Sequence, residues 1–139
     1  MGRITTPVRI QNDYDVERAA LGEIPREAIR EIDVPDALIE TGASSFCLPP
    51  SLIQALGLRA RRQARSKTAG GLRMMTIYSP VFITIQDRHC SVEVTEIPEE
   101  APVLVGQVPL EVMDLVAFPK EQRLGPNPAH DNQWVIEIY

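Results

Sequence analysis

Residues 37–45 are Ala-Leu-Ile-Glu-Thr-Gly-Ala-Ser-Ser, and this stretch decides the predicted fold. Its apolar start predicts the end of a short buried strand, which is followed at once by an acid, a hydroxyl and a glycine. Gly42 allows the backbone to turn sharply, so that N–H groups can approach the carboxylate of Glu40. An acid-Thr-Gly tripeptide alone is typical of many ordinary turns, so the flanking sequence has to decide its meaning.

The flanking sequence predicts many short strands and few helices. Pro and Gly number 12 and 8, and they separate short apolar runs as turns do in β-rich proteins. Because only 5% of residues are aromatic, we expect a core of Val, Ile, Leu and Met. Helices are predicted at Asp13–Leu21, capped by Asp13, at Pro49–Gly57 and, as a short one, at Pro109–Met113.

A hairpin or mobile arm, followed by a second hairpin, is predicted in the middle of the chain. Residues 59–75 are polar and basic and are interrupted by Gly70-Gly71, whereas residues 81–94 alternate cleanly around a turn at Asp87-Arg88. Further strands are predicted at Ile4–Ile10, Ala28–Val34, Val103–Val105 before Gly106, Leu115–Phe118 and Val135–Ile138. The sum is a single, mainly β domain over residues 1–139 with one or two short helices.

Composition excludes several classes of function. The net charge of −5 argues against a general nucleic-acid-binding protein, whose surface would be basic. No window approaches the roughly 20 apolar residues of a membrane span, and no secretory signal is recognised, so we expect a cytoplasmic protein. Cys47 and Cys90 are expected to be buried and reduced, and no Cys or His spacing indicates a metal site.

The order of these features resembles bacterial, single-lobe members of the retropepsin-like aspartic protease family. The segment Glu40-Thr41-Gly42-Ala43 is followed by Phe46–Pro50 and a helix. The segment Val103–Gly106 precedes the helix-forming Pro109-Leu110-Glu111, and the tail Pro126–His130 is also similar to that of bacterial members. The resemblance extends from the first strand to about His130.

The resemblance implies a small, closed acid-protease barrel lobe that works as a homodimer without a metal or cofactor. Each subunit supplies one acid-Thr-Gly turn, and the two turns meet at a twofold axis. Two carboxyl groups at such a short distance share one proton. One then acts as general base on water, and the other acts as general acid on a polypeptide substrate.

The resemblance also assigns roles by position. Glu40 would be the catalytic acid, Thr41 would lock the two turns together, and Gly42 and Ala43 would line the floor. Val105-Gly106 would support the acid turn from behind. The segment from Thr68 to Met74, with Gly70 and Gly71 at its tip, would be a flap that closes over a bound peptide and excludes water.

The chain departs from the family at position 40, where the family carries aspartate. Glutamate keeps the charge but adds one methylene, about 1.5 Å of reach, and a misplacement of about 1 Å can cost on the order of 100-fold in rate. Three interpretations therefore stand: a working peptidase with an adapted pocket, a lobe that kept the dimer and groove but lost the chemistry, or an isolated Asp-to-Glu change in an active parent.

Other residues have plainer interpretations. Arg59, Arg61, Arg65 and Lys67 are predicted on one strand face with Arg62 opposite, as a solvated face rather than a phosphate or acidic-peptide contact. Met74 is equally consistent with substrate contact and core packing. Trp134 is predicted to anchor packing, and His130 is predicted to be a turn or surface residue rather than a catalyst. A non-catalytic peptide-binding or dimerisation module is the main rival function, and a purely structural, monomeric β-barrel is a third.

Overall fold

The computed structural model describes residues 3–136 and residue 138, and strands dominate its secondary structure. Three short α-helices are present in this part of the chain, at the three places where helices were predicted, although the fold as a whole was predicted to have one or two. The strands are β1 (Thr5–Asn12), β2 (Glu31–Ile39), β3 (Phe46–Leu48), β4 (Ala60–Thr68), β5 (Gly71–Ile85), β6 (Arg88–Glu96), β7 (Leu104–Val105), β8 (Leu115–Phe118) and β9 (Arg123–Pro126). The helices are α1 (Asp13–Ala20), α2 (Pro50–Ala55) and α3 (Gln107–Val112), with single 3-10 turns at Arg26–Ala28 and Pro128–His130.

Six strands form a ring of hydrogen-bonded neighbours. The order runs β1-β2-β7-β3-β6-β5, and β5 pairs again with β1. The pairings β2–β7 and β3–β6 are parallel, and the other pairings in the ring are antiparallel. The predicted mainly β fold is therefore confirmed.

Strand β5 serves two parts of the molecule because it is 15 residues long. Its first half pairs with β4 from Gly71 to Tyr78, and its second half pairs with β6 and β1 inside the ring. The register with β6 shifts between Tyr78 and Val81, where Pro80 lacks the N–H group that a regular ladder needs. The β4–β5 hairpin consequently projects from the ring, and β4 is an edge strand.

The core fills the inside of the ring with aliphatic side chains, as predicted from composition. Val8, Ile10, Ile83, Val94 and Val105 are at most 3% exposed. One aromatic ring departs from that expectation, since Phe46 is fully buried among them. Alternate residues of β1 and β5 point inward, which is the period of two expected for strands with one buried face.

The residue that caps helix α1 is one position earlier than predicted. The side chain of Asn12, not Asp13, accepts from the Asp15 amide at 3.1 Å. Asn12 also donates from Nδ2 to the Leu56 carbonyl at 2.8 Å, which explains why this polar side chain is buried. Helix α2 agrees with the prediction, because proline starts it and Gly57 follows it at φ 65°.

Two local predictions are wrong. The β5–β6 turn is formed by Gln86 and Asp87, both at positive φ, rather than by Asp87 and Arg88. A two-residue turn of this hand matches the twist of the flanking strands, so the hairpin accepts two non-glycine residues there. The predicted terminal strand Val135–Ile138 is not formed by Val135, Ile136 and Ile138, and Glu137 lies outside the described residues.

Candidate active site

The acid turn lies at the point where β2 leaves the ring. Glu40 follows the last residue of β2, and its amide donates to the Val105 carbonyl at 3.0 Å. The Ala43 amide donates to the Glu40 carbonyl at 3.0 Å and closes the turn. The Gly42 amide approaches Oε1 of Glu40 at 3.3 Å, so a backbone N–H does point at this carboxylate. Glu40 and Thr41 are both exposed.

Helix α3 and the residue before it hold the second half of the turn. The amides of Gly106, Gln107 and Val108 donate to the carbonyls of Ser45, Ala43 and Ser44 at 2.8, 2.7 and 3.1 Å. The first N–H groups of a helix have no partner within the helix, and here the turn supplies their acceptors. The predicted support from behind the turn therefore has a physical form, a set of backbone hydrogen bonds.

Only glycine fits at position 106. A Cβ built there would lie 2.7 Å from the Ser45 nitrogen and from the Ser44 carbonyl carbon, distances that real Cβ atoms do not reach. Because the obstructing atoms are backbone, they cannot move aside as the end of a flexible side chain would. Close contact between two chain segments is one of the reasons that glycine is required.

The surface beside the acid turn is a shallow and mainly apolar depression. Glu40 and Thr41 line it together with Ile4, Leu38 and Ala117. The Thr41 hydroxyl has no hydrogen-bond partner within residues 3–136 and 138, and the only one for the Glu40 carboxylate is the Gly42 amide. The turn thus presents two polar groups that remain available to a further molecule.

The predicted flap is the β4–β5 hairpin. Gly71 has φ 107°, a conformation that favours glycine, and the Thr68 hydroxyl donates to the Gly71 carbonyl at 2.8 Å. The Gly70 amide donates to the same hydroxyl at 3.2 Å. Thr68, which the resemblance implied as a substrate contact, therefore stabilises the hairpin turn in this structure.

The predicted site residues do not all lie together in one chain. Residues 40–43 form a contiguous turn, whereas Thr68 and Met74 line a different depression with Pro50 and Pro98. A third depression is lined by Ser44, Ser45, Ile77 and Val108 among others, so it borders both the segment after the acid turn and the base of the hairpin. Sequence patterns did not single out these connecting residues.

Glu93 fastens the base of the hairpin and was also missed. Arg61 donates to its carboxylate at 3.2 Å and Arg62 at 2.8 Å. The hydrogen bond from Arg62 is the main cause that lowers the pKa of Glu93. Arg61 and Arg62 were predicted on opposite faces, but the register shift between Ala60 and Arg62 brings both to the same acid.

A second polar cluster joins the C-terminal residues to the end of α3. Asp114, only 7% exposed, accepts from the Val135 amide at 3.1 Å and from the Asn127 side chain at 3.2 Å, and Nδ1 of His130 lies 2.6 Å from its Oδ2. Burial alone would raise the pKa of Asp114, but these hydrogen bonds outweigh it and the pKa is lowered. His130 lies in a turn, as predicted, because it is the last residue of the 3-10 turn Pro128–His130, and its partly exposed ring also joins this cluster.

Trp134 lies beside this cluster and packs as predicted. Its ring nitrogen donates to the Val112 carbonyl at 3.0 Å, and its ring meets His89 edge-on with centroids 5.1 Å apart. Arg88 is buried next to it and donates to the carbonyls of Met113, Asp114 and Asn132. The sequence offered no signal for Arg88, because its partners lie 25 or more residues away.

Comparison with known proteins gives one family. A family model described as aspartyl protease matches residues 28–121, which include the acid turn, the hairpin, β7 and α3. No curated protein matches the chain. In the part of the chain that is described, no helix has the length and apolar character needed to cross a membrane.

Proposed function

The chain belongs to the aspartyl protease family, and on that premise we propose that it is an aspartic endopeptidase that acts as a homodimer. Each subunit contributes one acid-Thr-Gly turn, with Glu40 as the acid. The observation that carries the proposal is the exposed Glu40 carboxylate at the end of β2, in a turn held by backbone hydrogen bonds to Val105 and to the start of α3.

A second copy is required because a single chain supplies one carboxyl and the reaction uses two. In the dimer one Glu40 carboxylate removes a proton from water, and the resulting hydroxide oxygen bonds to the carbonyl carbon of the peptide. The partner's Glu40, protonated at that moment, gives its proton to the carbonyl oxygen. As the C–N bond of this tetrahedral intermediate breaks, the leaving nitrogen takes the proton that the first Glu40 removed from water, and one hydroxyl of the intermediate returns a proton to the partner's Glu40.

Two features beside Glu40 support the dimer. The Thr41 hydroxyl is exposed and has no partner among the described residues, so it can donate across the twofold axis to the other turn. The apolar depression around Ile4, Leu38 and Ala117 lies next to it and would be covered by the second copy. The hairpin with Gly70 and Gly71 at its tip is proposed as the flap, with Ala43 and Met74 as substrate contacts.

The proposed compartment is the cytosol. Cys47 and Cys90 are both free thiols and both buried. Unpaired cysteines agree with a compartment that keeps thiols reduced.

Substitution of Glu40 tests the proposal. With an unfolded protein as substrate, Glu40→Gln should abolish hydrolysis, because the glutamine side chain can neither remove a proton from water nor give one to the peptide carbonyl. Glu40→Asp should raise kcat/KM by about 10-fold or more, because it removes the extra methylene that displaces the reacting oxygen. Glu100→Gln is the matched control, since Glu100 is an exposed acid outside the turn, and it should leave the rate unchanged.

Two outcomes would contradict the proposal. One is hydrolysis that survives Glu40→Gln, which would place the chemistry elsewhere. The other is sedimentation as a monomer at every concentration tried, since the site would then be incomplete.

The longer side chain at position 40 favours one rival, a peptide-binding or dimerisation module that retains the family's groove without its chemistry. This rival predicts a dimer that binds peptides while the parent protein, Glu40→Asp and Glu40→Gln all fail to cleave. Cleavage that appears or rises in Glu40→Asp excludes it.

A further inference from the structure

Positive charge is concentrated in one continuous segment. Residues 41–86 contain six Arg or Lys residues and neither Asp nor Glu. The segment therefore has a net charge of +6, and because the net charge of the whole chain is −5, the remainder carries −11. All six basic residues lie just before or within the β4–β5 hairpin, so the projecting part of an acidic protein is basic.

Only some of these cations are neutralised within the chain. Arg61 and Arg62 pair with Glu93 at the base of the hairpin, and Arg59 lies 6.0 Å from the centre of the Tyr14 ring. Arg65 and Lys67 form no ion pair with any described residue. The outer part of the hairpin therefore carries uncompensated positive charge.

The register of the hairpin places these two cations beside two exposed apolar side chains. Arg65 is directly opposite Met74, and Lys67 is directly opposite Leu72. Directly opposite residues of an antiparallel pair share one face, so the four side chains form a two-by-two patch. Leu72 is 70% exposed and Met74 is 58% exposed. We call this group the hairpin patch.

The other face of the hairpin is different. Ala64, Ser66 and Met75 are half-buried, and Ile77 on the same face is 8% exposed. The exposed cation on this side near the tip is Arg73, which lies opposite Ser66 and forms no ion pair with any described residue. That face contains the more buried residues, whereas Leu72 and Met74 of the hairpin patch are both more than half exposed, although Met74 also borders the depression that contains Pro50 and Pro98. Leu72 and Met74 are thus not core residues that happen to be near the surface.

We propose that the hairpin patch binds an extended acidic polypeptide segment in which carboxylates alternate with apolar side chains, and that it selects such substrates for the neighbouring active site. The selection of substrates rests on the proposed function, but the binding does not. Carboxylates would pair with Arg65 and Lys67, and apolar side chains would cover Leu72 and Met74.

Other occupants fit the patch less well. One alternative is that cations on an edge strand simply prevent another strand from adding to the sheet. That role does not account for the two large apolar side chains beside them. A second copy of the hairpin would bring like charges together. Nucleic acid binds through many phosphate contacts, and a patch with two free cations on a protein of −5 provides few.

The binding test uses the full chain with Glu40→Gln, so that no peptide is cleaved. The probe is a fluorescein-labelled peptide of alternating Glu and Leu, and its affinity is measured by anisotropy at low and high salt. Peptides of alternating Lys and Leu, and of alternating Gln and Leu, serve as matched probes. We expect tightest binding of the Glu-Leu peptide, weakened by salt.

Charge reversal assigns the site. Arg65→Glu with Lys67→Glu should weaken binding of the Glu-Leu peptide on the order of tenfold or more. Arg26→Glu with Lys120→Glu, an equal change of charge at exposed positions outside the hairpin, should leave the affinity within about twofold. Leu72→Ser with Met74→Ser should weaken binding without changing its salt dependence. An unchanged circular dichroism spectrum identifies the variants that remain folded. If the variant with Arg65→Glu and Lys67→Glu does not fold, the variant with Arg65→Gln and Lys67→Gln takes its place.

Three results would overturn the proposal: equal affinity for the Glu-Leu and Lys-Leu peptides, equal losses in the hairpin and control variants, or tighter binding of single-stranded DNA at the same residues. Failure of the proposed function is seen separately. Absence of cleavage in the parent protein, with Glu-Leu binding intact, rejects the peptidase but keeps the patch. Cleavage without preference for acidic peptides rejects the selection of substrates by the patch but keeps the peptidase, and the anisotropy measurements alone decide whether the patch binds acidic peptides.

Discussion

Gly106 lies against the backbone of Ser45, and its amide donates to the Ser45 carbonyl at 2.8 Å. The contact is close enough that a Cβ on Gly106 would meet the Ser45 nitrogen at 2.7 Å. It ties the segment between β7 and α3 to the segment that follows the acid turn. The position of Glu40 therefore depends on a residue 66 positions later in the chain.

We expect Gly106→Ala to destabilise the protein by about 1–3 kcal/mol, because backbone must shift to admit the methyl group. Urea unfolding followed by circular dichroism measures this. Gly70→Ala is the control, since the nearest atom to its Cβ would be the flexible end of Arg73 at 3.4 Å. Equal stability of Gly106→Ala and the parent protein would show that the predicted clash is absent.

The ion pair between Asp15 and Arg30 should make the protein sensitive to acid. Asp15 accepts two hydrogen bonds from the Arg30 side chain and one from the Arg30 amide. Side-chain hydrogen bonding to Arg30 is the main reason that the pKa of Asp15 lies below its usual value. A carboxyl whose pKa is lowered by folding stabilises the protein above its unfolded pKa, and this stability is lost as pH falls through the folded pKa.

Asp15→Asn should therefore cost about 1–3 kcal/mol at neutral pH and flatten the fall in stability between about pH 5 and pH 2. Unfolding in urea across that range of pH measures both effects. Asp33→Asn removes an exposed partner of Arg9 and should have a much smaller effect. A parent protein and Asp15→Asn with parallel stability profiles would contradict the assignment.

Asp114 should hold the C-terminal residues on the protein. Its carboxylate accepts hydrogen bonds from Asn127 and Val135 and pairs with His130, so Asp114→Ala leaves three partly buried polar groups without this partner. We expect a loss of about 1–3 kcal/mol and faster amide exchange at Val135. Asp36→Ala, at an exposed position, is the control.

A second measurement on Asp114 uses pH. Because folding lowers the pKa of Asp114, its contribution to stability is present above its unfolded pKa and is lost as pH falls through the folded pKa. Protection of the Val135 amide should therefore decline in acid in the parent protein and not in Asp114→Ala. Equal protection in both proteins at neutral pH would reject this role.

The two cysteines should be unreactive in the folded protein. Burial raises the pKa of Cys47 and of Cys90 to about 11. Because the thiolate is the reactive form, we expect labelling by a disulfide reagent at pH 8 to be about 100-fold slower in the folded protein than in denaturant. Rapid labelling of the folded protein would contradict this, and Cys90→Ser would identify the cysteine responsible.

Much of the fold and part of the site could be predicted from local patterns. The β4–β5 hairpin follows from the polar and basic run that Gly70-Gly71 interrupts, and α2 follows from its prolines and Gly57. The strand that leads into Glu40 is marked by three apolar residues. Each of these depends on residues close in the chain, where periodicity and turn chemistry act directly.

Contacts between distant residues could not be predicted. Nothing in the residues around Arg61 indicates the register shift that gives Glu93 two arginine partners, and nothing around Asp114 indicates that it meets Asn127, His130 and Val135. Asp13 is as good a helix cap as Asn12 by residue type, and only the position of Leu56 makes Asn12 the better one.

The amino-acid sequence by itself determined the mainly β class, the acid turn at residues 40–42 and the resemblance to one protease family. Only the tertiary structure decided that β1 closes the ring with both β2 and β5, that Gly106 holds the acid turn, and that the hairpin has one free basic and apolar face. The physical reason is that local propensity acts over a few residues, whereas ring closure and strand register depend on packing summed over the whole chain.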